Sequence, residues 1–157
     1  MIRSAKSLRR DERGTGTIEL ALAVPVLAFM LLGAVDMGMG YTERFALQQA
    51  ANRTLETGMA RGSVSDSYTY LKAIGATNSG EPADQVTIDN WLECDGTRAT
   101  LFSDTCGSNQ QTARYISVRI TGTHQPSFNY NGLARQFGAT TLGGPVAIAG
   151  FAAVRIQ

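Results

Sequence analysis

Ile18-Glu-Leu-Ala-Leu-Ala-Val-Pro-Val-Leu-Ala-Phe-Met-Leu-Leu-Gly-Ala-Val35 is an apolar run with a single carboxylate, Glu19, at its second position. A carboxylate costs about 2.5–3.5 kcal/mol at a bilayer centre and less towards the edge, so Glu19 calls for a charged partner inside the membrane. Upstream lie the basic segment Arg9-Arg10-Asp11-Glu12-Arg13 and then Gly14, five residues before Glu19. No charge occurs from Leu20 to Val35, and continuing past Asp36 through Met37-Gly-Met-Gly-Tyr41 brings the stretch close to the roughly 20 residues a bilayer requires. Pro25 removes a helix hydrogen bond and kinks the segment. Membrane helices tolerate this when a neighbouring helix re-satisfies the backbone, so a packing partner is implied.

Working outward, Arg3, Lys6, Arg9, Arg10 and Arg13 outweigh Asp11 and Glu12, whereas the whole chain of 157 residues has a formal net charge of only +1. Everything after the leader is therefore slightly acidic, with no nucleic-acid footprint. Basic residues flanking a first apolar segment hold that end in the cytoplasm, which places the C-terminal bulk in the periplasm or outside. Two other readings of the run stay open. A cleaved secretory signal needs small residues at −3 and −1, and Leu32-Gly33-Ala34 supplies one good match. An uncleaved anchor of unrelated function is the second.

The helical pattern continues beyond the run. Leu47, Ala51, Leu55 and Gly58 form one stripe, with Glu43, Arg44, Gln48, Gln49, Asn52, Arg53 and Glu56 as the polar complement. This predicts one helix over 18–59, about 60 Å long at 1.5 Å per residue. The alternative is two helices hinged at Gly33, Gly38 and Gly40. Gly62-Ser-Val-Ser closes the helix, and Asp66 caps a shorter one in which Tyr68, Leu71 and Ile74 share a face before Gly75. Thr77 to Pro82 reads as loop.

Val86-Thr-Ile-Asp-Asn-Trp-Leu-Glu-Cys94 and Tyr115-Ile-Ser-Val-Arg-Ile-Thr121 alternate as paired antiparallel strands, and a third strand is expected over Val146 to Ile156 after Gly143-Gly144-Pro145. Leu133 to Phe137, in the connection between them, is either a helical turn or packed loop. The fold class is α+β: a long N-terminal helix, transmembrane then amphipathic, packed against a small antiparallel sheet. The expected domains are a basic leader over 1–14, the helix over 15–60 and an α+β domain over 61–157.

Outside the cytoplasm, Cys94 and Cys106 are most simply a disulfide. Zinc would need about four ligands, and the chain has one histidine, His124. The same scarcity argues against an enzyme, since no Gly-x-Ser-x-Gly elbow or second histidine is present. His124 reads as a strand-end or loop residue and Trp91 as a core or rim aromatic. Asp84, Asp89, Glu93, Asp95 and Asp104 fit no calcium-loop spacing. No catalytic residue, metal ligand or cofactor is assigned.

A basic leader ending in glycine, a glutamate five residues on and an immediate apolar helix resemble the start of a type IV prepilin. More narrowly, Arg13-Gly-Thr-Gly-Thr-Ile-Glu-Leu-Ala-Leu-Ala-Val-Pro-Val-Leu, Leu31-Leu-Gly-Ala-Val-Asp-Met-Gly and Leu47-Gln-Gln-Ala-Ala-Asn-Arg resemble the TadE-like pseudopilins of tight-adherence (Flp) pilus systems. The resemblance spans about Arg13 to Met59. It implies a pilin-like fold and cutting between Gly14 and Thr15 by prepilin peptidase. It also implies subunit assembly through Glu19 and Pro25, in which the Glu19 carboxylate neutralises the Thr15 amine of a neighbouring subunit. The implied partners are other pilin and pseudopilin subunits, the inner-membrane assembly platform, the peptidase and membrane lipid, with no nucleic acid. The implied role is assembly of an adhesive pilus, as a minor or priming pilin, because the domain is far larger than the Flp major pilin; the first residue would be Thr15 where major pilins have a large apolar one. The alternative is an envelope adhesin or pilus-tip module, with function in the Cys94–Cys106 loop and Phe128 to Tyr130.

Overall fold

The computed structural model describes residues 15–60, 68–128, 130–136, 138 and 143–156. In chain order the elements are α1 (Thr15–Ala60), α2 (Tyr70–Ser79), a 3-10 turn (Ala83–Gln85), β1 (Val86–Cys94), β2 (Thr97–Arg98), β3 (Thr112–His124), α3 (Tyr130–Gln136) and β4 (Val146–Arg155). The layout is α+β, a long N-terminal apolar helix and a four-stranded antiparallel sheet in the order β2-β1-β3-β4. The chain separates into two compact units, with the division after Gly38.

In the first unit, every residue from Gly16 to Leu31 is exposed, including Ile18, Leu20, Leu22, Val24, Leu27 and Phe29. A helix this long and apolar can cross a membrane.

The second unit, from Met39 on, has its own core. Leu47, Ala50, Ala51 and Leu55 of α1 join Tyr68, Leu71, Val86, Ile116, Val118, Ile120 and Ala152 in one cluster. The expected stripe is the buried one, since Leu47, Ala51, Leu55 and Gly58 are all buried and Glu43, Arg44, Gln49, Asn52, Arg53 and Glu56 are exposed. Each fully buried Leu, Ile or Val contributes about 1.5–3 kcal/mol. Small residues bring the helix close. A Cβ on Gly150 would overlap the Leu47 carbonyl and the Gln48 amide, so β4 crosses α1 backbone to backbone. Beside the crossing, the Gln48 carboxamide donates to the Phe151 carbonyl (2.6 Å) and accepts from its amide (3.0 Å), imitating a neighbouring strand at the edge of the sheet.

β1 lies antiparallel to β3 with Val86 opposite Ile120 and Cys94 opposite Thr112. β4 runs antiparallel along the other side of β3, with Val146 opposite His124 and Gly150 opposite Ile120. The sequence pattern gives both strands, but β3 extends three residues beyond the expected strand at each end. α2 differs from expectation as well: instead of stopping before Gly75 it runs to Ser79 and ends on Gly80 in the left-handed conformation at φ 77°. Gly75 is a contact point, because a Cβ there would meet Val86 Cγ1 at 2.8 Å, with Thr54 Cγ2 at 3.7 Å. Thr77 and Ser79 hold the last turn by donating to the carbonyls of Ala73 (2.9 Å) and Gly75 (2.7 Å). Buried Thr54 donates to Ala50 O (2.7 Å) and accepts from Asn78 (3.1 Å), leaving its hydroxyl satisfied where α2 meets α1. Asp66, expected as a cap, and Gly62 to Ser65 lie outside the described residues; the cap position of α2 is Thr69.

β2 was not expected. It pairs with the end of β1 through Glu93 opposite Arg98 and Cys94 opposite Thr97. The connecting Asp95 and Gly96 have φ 51° and 79°, the two left-handed residues of a tight hairpin turn.

Candidate functional site

α1 is described from Thr15 on; the Thr15 side chain and all of Gly14 lie outside the described residues. The first carboxylate in the described helix is Glu19, exposed and four residues beyond Thr15. Residues spaced i, i+4 lie on one helix face, so positions 15 and 19 share one. Pro25 is inside the helix, where it can donate no hydrogen bond. Asp36 is buried, the only charged residue in the helix that is.

His124 ends β3 as expected, but it is 6% exposed and is seated against α1. Its Nδ1 lies 2.8 Å from Glu43 Oε2, and its ring fills the space at Gly40, where a Cβ would stand 3.2 Å from Cδ2. Nε2 is buried with no hydrogen-bond partner among the described residues. The residue acts as a wedge between the end of the sheet and the helix. The pairing with Glu43 and Gly40 was not readable in the sequence, where the two partners lie 81 and 84 residues away.

Cys94 and Cys106 form a disulfide with a Cα–Cα distance of 5.5 Å. It closes the turn-rich excursion between β1 and β3, which is also tied by Asp95 N to Gln111 O (3.0 Å) and Gln111 N to Asp95 Oδ1 (2.8 Å). The double variant Cys94→Ser, Cys106→Ser is expected to lose about 3 kcal/mol, the chain entropy of a loop this size. Urea unfolding followed by Trp91 fluorescence measures it.

Trp91, expected as a core or rim aromatic, is half-buried on the sheet face turned from α1. It stacks on Tyr115 at 5.2 Å, while Arg98 covers its ring at 5.1 Å and its indole donates to Glu93 (2.8 Å). With Tyr115 and Arg98 on it, the ring is no open stacking platform. Arg98 also meets Asp89 at 3.0 Å, an exposed pair of small energetic consequence. Near Leu92 of β1, whose strand partner is Arg114, Phe102 packs edge-on to Tyr68 at 6.0 Å with the Arg114 guanidinium 5.6 Å from its ring. Burial pushes the Tyr68 phenol up from its ordinary value of 10.0, Tyr70 adding to this and Arg114 opposing it. Phe128 and Tyr130, the other expected binding segment, form an edge-on pair at 6.2 Å. Among the described residues no three His, Cys, Asp or Glu side chains converge on a metal position.

The structure brings together Cys94 with Cys106 and Phe128 with Tyr130, and places Glu19 and Pro25 along the exposed apolar part of α1. Residues 14–55 match the family model described as TadE-like protein. No curated protein and no solved structure matches the chain.

Proposed function

We propose, from the premise that this chain is a TadE-like pilin-family protein through residues 14–55, that it is a minor pilin or pseudopilin serving assembly of a Tad/Flp-type pilus. The observation that carries the reading is that the family match, which starts at Gly14, covers an apolar helical stretch in which every residue from Gly16 to Leu31 is exposed. Cutting after Gly14 by prepilin peptidase leaves Thr15 as the first residue, with an ammonium group at the start of α1. In this reading the protein sits in the inner membrane with its N-terminus cytoplasmic and the disulfide-bonded domain periplasmic, and its partners are other pilins, pseudopilins and the assembly platform.

The physical role of Glu19 follows. An ammonium group drawn into an apolar helix bundle carries a desolvation cost of several kcal/mol, and a carboxylate carries a similar one. When helices of two subunits dock, the Thr15 amine of one and Glu19 of the other lower both costs together. Pro25 leaves the Ala21 carbonyl without its helical partner, a group that a neighbouring helix can reach. Replacing Gly14 by isoleucine is expected to leave the leader attached, since a branched side chain stands at the scissile position. Membrane-fraction protein from cells expressing prepilin peptidase then has the full-length mass for Gly14→Ile and a shorter one for wild type. Equal masses would overturn the reading.

A further inference from the structure

The two edges of the four-stranded sheet differ. At the β4 edge α1 crosses, and the Gln48 carboxamide takes up the Phe151 amide and carbonyl. The β1 edge is covered over part of its length only: β2 pairs with Glu93 and Cys94, and the Leu92 carbonyl accepts from the Ala99 amide (2.8 Å). Backbone groups alternate sides along a strand, so those sharing this side with Leu92 belong to Asn90, Ile88 and Val86. The Val86 amide is taken by the Ala83 carbonyl at the end of the 3-10 turn. The Val86 carbonyl and the amides and carbonyls of Ile88 and Asn90 have no partner among the described residues. Sheets blunt such an edge with lysine, proline, a bulge or a bare charge. From Val86 to Asn90 the register with β3 is unbroken, and the one charge, Asp89, is matched by Arg98, which reaches both carboxylate oxygens at 3.0 Å.

We propose that this edge binds a second copy of the chain, β1 against β1 in antiparallel pairing about a two-fold axis through Ile88. The free run is bounded on both sides, by the 3-10 turn that ends at Gln85 and by Ala99 on Leu92, and the two-fold fits it to itself. The Ile88 residues of the two copies exchange amide-to-carbonyl bonds, and each Asn90 amide donates to the Val86 carbonyl of the other copy. Groups left open in one copy thereby satisfy those of the other. Charge and space select this register. An axis through Asp89 would set that carboxylate opposite itself and drive Val86 of one copy to the place beside Leu92 that Ala99 holds. With the axis at Ile88, Asp89 faces the exposed Thr87 of the other copy, and the half-buried Ile88 side chains, packed on the core, meet across the junction. So short a strand buries less than the roughly 1,200 Å² of a standard interface, which makes the pairing reversible. It involves only the unit from Met39 on and holds whether or not the chain serves a pilus.

The test is cysteine cross-linking of full-length protein in detergent micelles under mild oxidation, with Cys94 and Cys106 already joined and so not competing. In this register positions 87 and 89 of opposite copies stand directly opposed, with Cβ atoms about 4.5–5.5 Å apart, whereas 87 meets 87, and 89 meets 89, only on the diagonal at about 7–8 Å. A mixture of Thr87→Cys and Asp89→Cys protein is expected to form disulfide-linked dimer about tenfold faster than either variant alone. Adding Asn90→Pro to both is expected to slow the mixture about tenfold or more, because the amide it removes serves only the second copy. That amide faces away from β3, so the sheet keeps its own ladder, and far-ultraviolet circular dichroism reports whether the domain stays folded. Equal rates in the mixture and the single variants would overturn the pairing. So would an undiminished rate in folded Asn90→Pro protein, or faster dimer formation by Ala149→Cys on the opposite edge. Should Asn90→Pro unfold the domain, the mixture against the single variants decides alone.

Discussion

Gly150→Val is expected to lower the thermal midpoint of the domain by more than about 10 °C, the effect of roughly 3 kcal/mol on a domain of this size. Gly150 is where β4 meets the backbone of α1, and the atoms in the way are the Leu47 carbonyl and the Gln48 amide, which cannot rotate aside as a side chain can. The strand must lift. Lifting it breaks both hydrogen bonds between Gln48 and Phe151, about 1 kcal/mol each, and draws Ala152 out of the core cluster. Gly150→Ala should lie between wild type and Gly150→Val. Circular dichroism melting of the detergent-solubilised protein checks this, and equal midpoints for all three would mean that β4 does not close on the helix at this point.

Glu19→Gln is expected to reduce assembled pili by more than about 100-fold, in cells carrying the pilus system, without changing the folded domain. Glutamine keeps the shape and removes the charge, so the Thr15 ammonium of a docking subunit would be buried unpaired, a loss of about 3–5 kcal/mol, and each 1.4 kcal/mol is a factor of ten. Glu19→Asp, which keeps the charge on a shorter arm, should retain part of the assembly. The Cys94–Cys106 disulfide and the Trp91 emission of both variants should match wild type, because no described residue from Gly16 to Leu31 is buried. Electron microscopy of pili and immunoblotting for the protein separate loss of assembly from loss of the chain. Undiminished piliation in Glu19→Gln would remove the role assigned to this carboxylate.

Much of the architecture was legible in residue spacing, because burial enforces periodicity. Leu47, Ala51, Leu55 and Gly58 announce the buried face of α1, and the alternation at Ile116, Val118 and Ile120 announces the inner face of β3. Where the reading fell short, the deciding contact lies far along the chain. Gly75 looks like a helix stop until Val86 is seen to require its missing side chain. Gln48 looks like one more polar residue until Phe151 comes alongside, and His124 looks like a loop residue until Gly40 and Glu43 receive it. β2 had a local signal, Asp95-Gly96, whose turn geometry fixes the hairpin. The proposed site was legible for a different reason: Gly14, Glu19 and Pro25 are proposed to act through sequence order and membrane chemistry, which the order of residues alone displays.

Cleavage is the point on which the account turns, and the N-terminal sequence of protein purified from the membrane fraction of cells with an active pilus system reads it directly. The account predicts a chain beginning Thr15-Gly16-Thr17. A chain that still carries Met1 through Gly14, in cells whose other prepilins are cut, would contradict it and leave a membrane-tethered domain with no place in pilus assembly.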